Sequence, residues 1–136
     1  MLRDIVDCRD EDGVSGRILV VDDEPGMRKS LAMMLRREQY QVTETGSVAE
    51  AVGRLKGEGY DLVIADLMME PLSGLDLLAL VRRYRAGCPV IIMTAFGTPE
   101  ARAEAAALGA VDFLEKPLHP PQLLGRVHEL VRSPTA

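Results

Sequence analysis

The sequence predicts a doubly wound α/β sandwich, a parallel sheet of five strands with helices on both faces. Three observations predict it. Short apolar, β-branched runs alternate with segments of helical period along residues 17–131. Most of these runs are continuously apolar rather than alternating, as in strands buried on both faces. Strands separated by helical crossovers pair in parallel, with right-handed connections that cover both sides of the sheet.

The elements follow in order. Ile18–Val21 is the first apolar run. Pro25 opens a helix, where its missing N–H costs nothing. Met27, Leu31, Met34 and Leu35 then share one helical face. Gln41–Thr45 is β-branched and alternating, a second strand. Ser47 and Glu50 have capping-box spacing, and their helix ends in the glycines of "KGEGY". Leu62–Ala65 is a third strand ending at Asp66, and Ser73 caps a helix over Leu75–Arg85. Pro89–Met93 is a fourth strand ending at Thr94. Thr98 and Pro99 open an Ala-rich helix that Gly109 terminates. Val111–Leu114 is a fifth strand, followed by "EKP" and a last helix over about 121–131. The flavodoxin-like order 2-1-3-4-5 is expected, since the alternative doubly wound order has a sixth strand. Residues 1–16 read as a flexible N-terminal extension and 132–136 as a C-terminal tail, leaving one domain over 17–131.

Composition narrows the function. The 136 residues are 47% hydrophobic and 27% charged, the balance of a globular domain. The net charge of −5 and the absence of a Lys/Arg block argue against direct nucleic-acid binding by this chain. No apolar run approaches the roughly 20 residues that span a bilayer, and the acidic N-terminus does not read as a signal peptide, so cytoplasmic residence is expected. Cys8 and Cys88 have neither metal-ligand spacing nor a CxxC motif and are expected reduced and unpaired. His119 and His128 are expected at the surface, without a metal role.

A doubly wound sheet binds ligands at the carboxyl ends of its strands. Strand 1 ends in Asp22 and Asp23, strand 3 in Asp66, strand 4 in Thr94, and Lys116 follows strand 5. Each residue alone is an ordinary loop or helix-start residue. Together they gather three carboxylates, a hydroxyl and an ammonium at one edge. Hard carboxylate oxygens suit Mg²⁺, which would offset their mutual repulsion. A carboxylate flanked by a divalent ion and a fixed lysine can take up a phosphoryl group as an aspartyl phosphate.

With "ILVVDDEP", "DLVIADLMM", "MTAFG" and "GAVDFLEKP" in this order, the sequence resembles the receiver domain of bacterial two-component response regulators over 17–131. The segment from "TAFGTPEARAEAAALG" to "EKPL" is most similar to receivers of ATPase-containing transcriptional activators. The resemblance implies that Asp66 accepts a phosphoryl group from a sensor-kinase phosphohistidine. It implies that Asp22, Asp23, Asp66 and the Met68 carbonyl hold Mg²⁺, Asp23 directly and Asp22 through water. Thr94 and Lys116 would contact phosphoryl oxygens, Phe113 would be the switch aromatic, and Ala95 would leave room for the phosphate. The implied partners are a sensor histidine kinase or phosphotransfer protein and an output domain or protein partner, with homodimerisation left open. Such a domain is not an enzyme; it catalyses only its own phosphorylation and dephosphorylation. The family's cis peptide is expected at Lys116–Pro117. Met68 and Phe96 would flank the route of the hydrolytic water. The family often has Pro four residues after the phosphorylated Asp; here Glu70 stands there, followed by Pro71.

Two other functions compete. A Mg²⁺-dependent phosphohydrolase with an Asp nucleophile would show D-x-D after strand 1 and a cap insertion. A flavin or nucleotide module would need a phosphate-cradling glycine loop, and neither G-x-G-x-x-G nor G-x-x-x-x-G-K occurs.

Overall fold

The computed structural model describes residues 16–131. Five strands are present: β1 (Arg17–Val21), β2 (Gln41–Thr45), β3 (Leu62–Asp66), β4 (Val90–Thr94) and β5 (Asp112–Glu115). They alternate with α1 (Pro25–Arg37), α2 (Val48–Gly57), α3 (Gly74–Tyr84), α4 (Pro99–Ala107) and α5 (Pro120–Leu130). The sheet is wholly parallel, in order β2-β1-β3-β4-β5, as the sequence predicts. Several boundaries move by one residue. The fourth strand starts at Val90 because Pro89 has no N–H to donate, although its carbonyl accepts from Val63.

Alternate residues of the central strands feed two cores. Ile18, Val20, Leu62, Ile64, Ile91 and Met93 face α1 and α5, where Leu31, Ala32, Leu35, Leu123 and Val127 meet them. Leu19, Val21, Val63, Ala65, Val90 and Ile92 face α2, α3 and α4. All five residues of β3 and all five of β4 are buried, which explains their continuously apolar sequence. Of the alanines on α4, Ala105 is buried, Ala101 is half-buried, and Ala103, Ala106 and Ala107 are exposed. This helix therefore has the narrowest apolar face of the five. No helix among the described residues is long and apolar enough to cross a membrane.

The caps follow the sequence with one change. Ser73 and Asp76 form a complete capping box on α3, and Thr98 caps α4 through the Ala101 amide. On α2, Ser47 accepts from the Glu50 amide, but the Glu50 carboxylate accepts from Gly46 rather than from Ser47. Gly109 ends α4 at φ +96, with the Ala110 amide donating to Ala105 and its own amide to Ala106.

Gly16, within the expected extension, is buried, and its carbonyl accepts from the Gln41 amide. Cys8 lies outside the described residues. Cys88 is free and buried, and burial pushes its thiol up to about 11, so it carries no thiolate near neutral pH. His128 is exposed, as expected, but it also fastens α5 to the α1–β2 corner. Its ring nitrogens meet Tyr40 Oη at 2.5 Å and Glu38 Oε1 at 3.2 Å.

The same corner holds Gln39 at φ 73, a left-handed conformation where a Cβ is strained. The Tyr40 amide reaches back to Leu35 and the Gln39 amide to Arg36, the arrangement usually completed by glycine. Gln39→Gly should therefore raise the unfolding free energy by about 0.5–1 kcal/mol in urea denaturation. A loss of stability would contradict the strain.

Candidate functional site

Register builds the site. Val21 pairs with Ala65, Asp66 with Met93 and Thr94 with Glu115, so the strands end level at the carboxyl edge. The ladder then continues one residue further at three places. The Asp22 amide donates to Thr45 at 3.1 Å, the Leu67 amide to Met93 at 2.8 Å and the Lys116 amide to Thr94 at 2.8 Å. The chain is thus fixed through the residues that carry the chemistry.

Asp66, only 6% exposed, sits at the centre of this edge. Its Oδ1 accepts from the Met68 amide at 3.0 Å, and its Oδ2 meets Lys116 Nζ at 2.7 Å. Lys116 Nζ also stands 3.5 Å from Asp22 Oδ2. That is ion-pair range, too long for a good hydrogen bond. Asp22 is fully buried; its Oδ1 accepts from the Glu24 amide at 3.0 Å, while Oδ2 has no hydrogen-bond partner. Burial pushes the Asp22 carboxyl up and the negative charge of Asp66 adds to this, against the opposing pull of the Glu24 amide and Lys116. Burial works against the Lys116 charge, but the Asp66 hydrogen bond and both carboxylates prevail and raise its pKa.

Thr94 is fully buried, and its hydroxyl accepts from the Phe96 amide at 3.1 Å. Asp23 and Ala95 are exposed at the rim. Met68 and Phe96 are 60% and 77% exposed, so two large apolar side chains stand at the mouth of the crevice beside Asp23. Met69 is buried beneath the loop and Glu70 is exposed. Phe113 is buried, with the Arg102 guanidinium 4.8 Å from its ring centroid. Lys116–Pro117 is cis, as expected, and Glu70–Pro71 is cis as well.

Asp22, Asp66, Thr94 and Lys116 therefore converge on one edge, with Asp23 on its rim. Their acids do not form a ready-made metal cluster: among the described residues no group of three His, Cys, Asp or Glu side chains is close enough to hold an ion. The donor chemistry nevertheless fits a hard cation. Asp22 Oδ2 is a buried carboxylate oxygen with no hydrogen bond and only the shared Lys116 ammonium at 3.5 Å, a condition a divalent ion or its bound water relieves.

Two residues of this edge are not evident from sequence patterns. Gly74 opens α3 against the backbone of Asp66, where an added Cβ would stand 2.4 Å from the Asp66 carbonyl oxygen. The signal is a glycine at a first helical position, where nothing local requires one. Arg28 donates from Nη1 to the Asp22 carbonyl at 2.8 Å. Its signal is a cation near a helix N-terminus, against the dipole.

The fold and the edge define a phosphoacceptor-type α/β domain: a buried aspartate, a paired lysine, a buried hydroxyl and a neighbouring acid. The model of the response regulator receiver domain matches residues 18–128, and the chain belongs to this family. It is 36% identical over 116 residues to the transcriptional regulatory protein ResD of Bacillus subtilis, covering 85% of this chain and 48% of ResD. It is 41% identical over 101 residues to the transcriptional regulatory protein GlrR of Escherichia coli, covering 74% of this chain and 23% of GlrR. The chain thus spans half or less of these two relatives. A response regulator receiver protein from Pseudomonas putida superposes with TM-score 0.81 at 33% identity, over 84% of this chain and 96% of that one. The domain is a signalling domain, and nothing in these likenesses supports the phosphohydrolase.

Gly74→Ala should drive the α3 N-terminus off the Asp66 backbone and lower stability by about 2–3 kcal/mol in thermal or urea unfolding. An unchanged melting temperature would show that the contact is not binding on the fold.

Proposed function

We propose that Asp66 accepts a phosphoryl group from a phosphohistidine of a sensor kinase or phosphotransfer protein, and that the aspartyl phosphate switches an output domain or partner. One observation carries this reading: a buried carboxylate at the carboxyl edge is hydrogen-bonded to a lysine at 2.7 Å. An Asp66 oxygen attacks phosphorus, the P–N bond breaks as the P–O bond forms, and the imidazole leaves and takes up a proton. Lys116 then moves from the carboxylate to a phosphoryl oxygen, keeping its charge beside the transferred group. Thr94 turns its hydroxyl from the Phe96 amide to another phosphoryl oxygen. The buried ring of Phe113, packed under Arg102, registers this movement.

Asp22, Asp23, Asp66 and the Met68 carbonyl would hold Mg²⁺. When bound, Mg²⁺ supplies the positive charge opposite Lys116 for the transferring group. The phosphodonor has a seat beside the site. An apolar groove of about 260 Å³ lies between α1 and the loop after β5, lined by Met27, Leu31, Met34, Pro117 and Leu118. Its place next to Lys116 suits an apolar helical face of the kinase.

The test is intact mass after incubation with acetyl phosphate and Mg²⁺. The wild-type chain should gain one phosphoryl group, lost on hydroxylamine treatment, and Asp66→Asn should gain none. Equal labelling of both would sink the assignment.

A further inference from the structure

Arg28 pairs its charge with Glu44 but otherwise stands where a helix end does not favour a cation. It lies near the N-terminus of α1, which disfavours cations, and beside acids read here as a cation site. What suits the place is its fork. Nη1 donates to the Asp22 carbonyl at 2.8 Å, and Nε stands 3.5 Å from Glu44 Oε1 on β2. Glu44 is itself held, since its Oε2 takes Arg36 Nη1 at 3.1 Å while Arg36 Nη2 donates to the Val42 carbonyl at 2.9 Å. The corner after β2 leaves room for the guanidinium: a Cβ on Gly46 would stand 3.2 Å from Arg28 Nη1. The group is accordingly only 18% exposed and clamped from behind.

The carbonyl that Arg28 grips belongs to the peptide joining Asp22 to Asp23. Asp22 is already fixed on its other sides, by its amide to Thr45 and its Oδ1 to Glu24. The plane of the Asp22–Asp23 peptide sets the direction in which Asp23, exposed at the rim, leaves the chain. The fork is the hydrogen bond that holds this carbonyl, so its loss loosens the peptide plane between the two pinned neighbours and with it the direction of Asp23.

We propose that Arg28 is a positioning residue for divalent-cation binding, fixing the Asp22–Asp23 peptide so that the Asp23 carboxylate is presented to the crevice. This rests on the reading of Asp22, Asp23 and Asp66 as a Mg²⁺ site. It separates from an electrostatic role by sign. A guanidinium acting through its charge repels Mg²⁺, so its removal would tighten binding; one acting through geometry weakens binding when lost.

The experiment is calorimetric titration of MgCl₂ into the full chain, for wild type, Arg28→Ala and Arg28→Lys, with melting temperatures taken in EDTA. Arg28→Ala should bind Mg²⁺ roughly ten-fold more weakly, the usual effect of removing a group that orients a ligand. Arg28→Lys keeps the charge but cannot hold both Asp22 and Glu44, and should weaken binding about three-fold or more. Unchanged or tighter binding in the variants, with or without a lower melting temperature, would overturn the proposal while leaving the Mg²⁺ site standing. If Arg28→Ala does not fold, Arg28→Lys decides by the same criterion. A wild-type chain that takes up no Mg²⁺ would overturn the site itself, and this proposal with it.

Discussion

The ion pair between Lys116 and Asp66 is the interaction on which the functional edge depends. One ammonium answers two buried carboxylates, at 2.7 Å from Asp66 and 3.5 Å from Asp22. It reaches them because the parallel register levels the strand ends, and because the ladder continues through the Lys116 amide to Thr94. Burial strengthens the attraction to Asp66 but leaves Asp22 short of a partner. The site is therefore built with more negative charge than the protein itself neutralises.

The two apolar cores bear that cost. β3 and β4 are buried along their whole length, and helices cover both faces. Asp22 is fully buried with no hydrogen bond to Oδ2, and its carboxyl is pushed up by burial. Because its folded-state pKa lies above the unfolded value, its protonated form favours folding at low pH. That benefit is lost as pH rises through the folded value, so ionised Asp22 subtracts from stability at neutral pH. A destabilising buried acid at the ligand edge accords with the proposed cation site.

Much of this was legible in the sequence, for reasons that lie in particular residues. Continuous runs such as Leu62–Ala65 announce strands buried on both faces, and Asp22, Asp66 and Thr94 each follow such a run. Caps at Ser73 and Thr98 are local, so they read correctly. What was not legible depends on contacts between distant residues. That Asp22 is buried and Asp23 exposed follows from which face of β1 continues into the α1–α5 core. The place of Gly74 depends on the Asp66 backbone, and that of Arg28 on Glu44 across β2. His128 reads as a plain surface histidine because Tyr40 and Glu38, its partners, lie on other elements.

We propose that a divalent cation relieves the buried negative charge of this edge. This is tested most directly by the melting temperatures of the wild-type chain and Asp22→Asn at pH 7, in EDTA and in millimolar Mg²⁺. Without the ion the Asn variant should melt higher by about 3–5 °C, the shift expected of roughly 1 kcal/mol in a domain of this size. Mg²⁺ should then raise the wild type more than the variant. A variant that melts lower in EDTA, or an equal response of both chains to Mg²⁺, would contradict it.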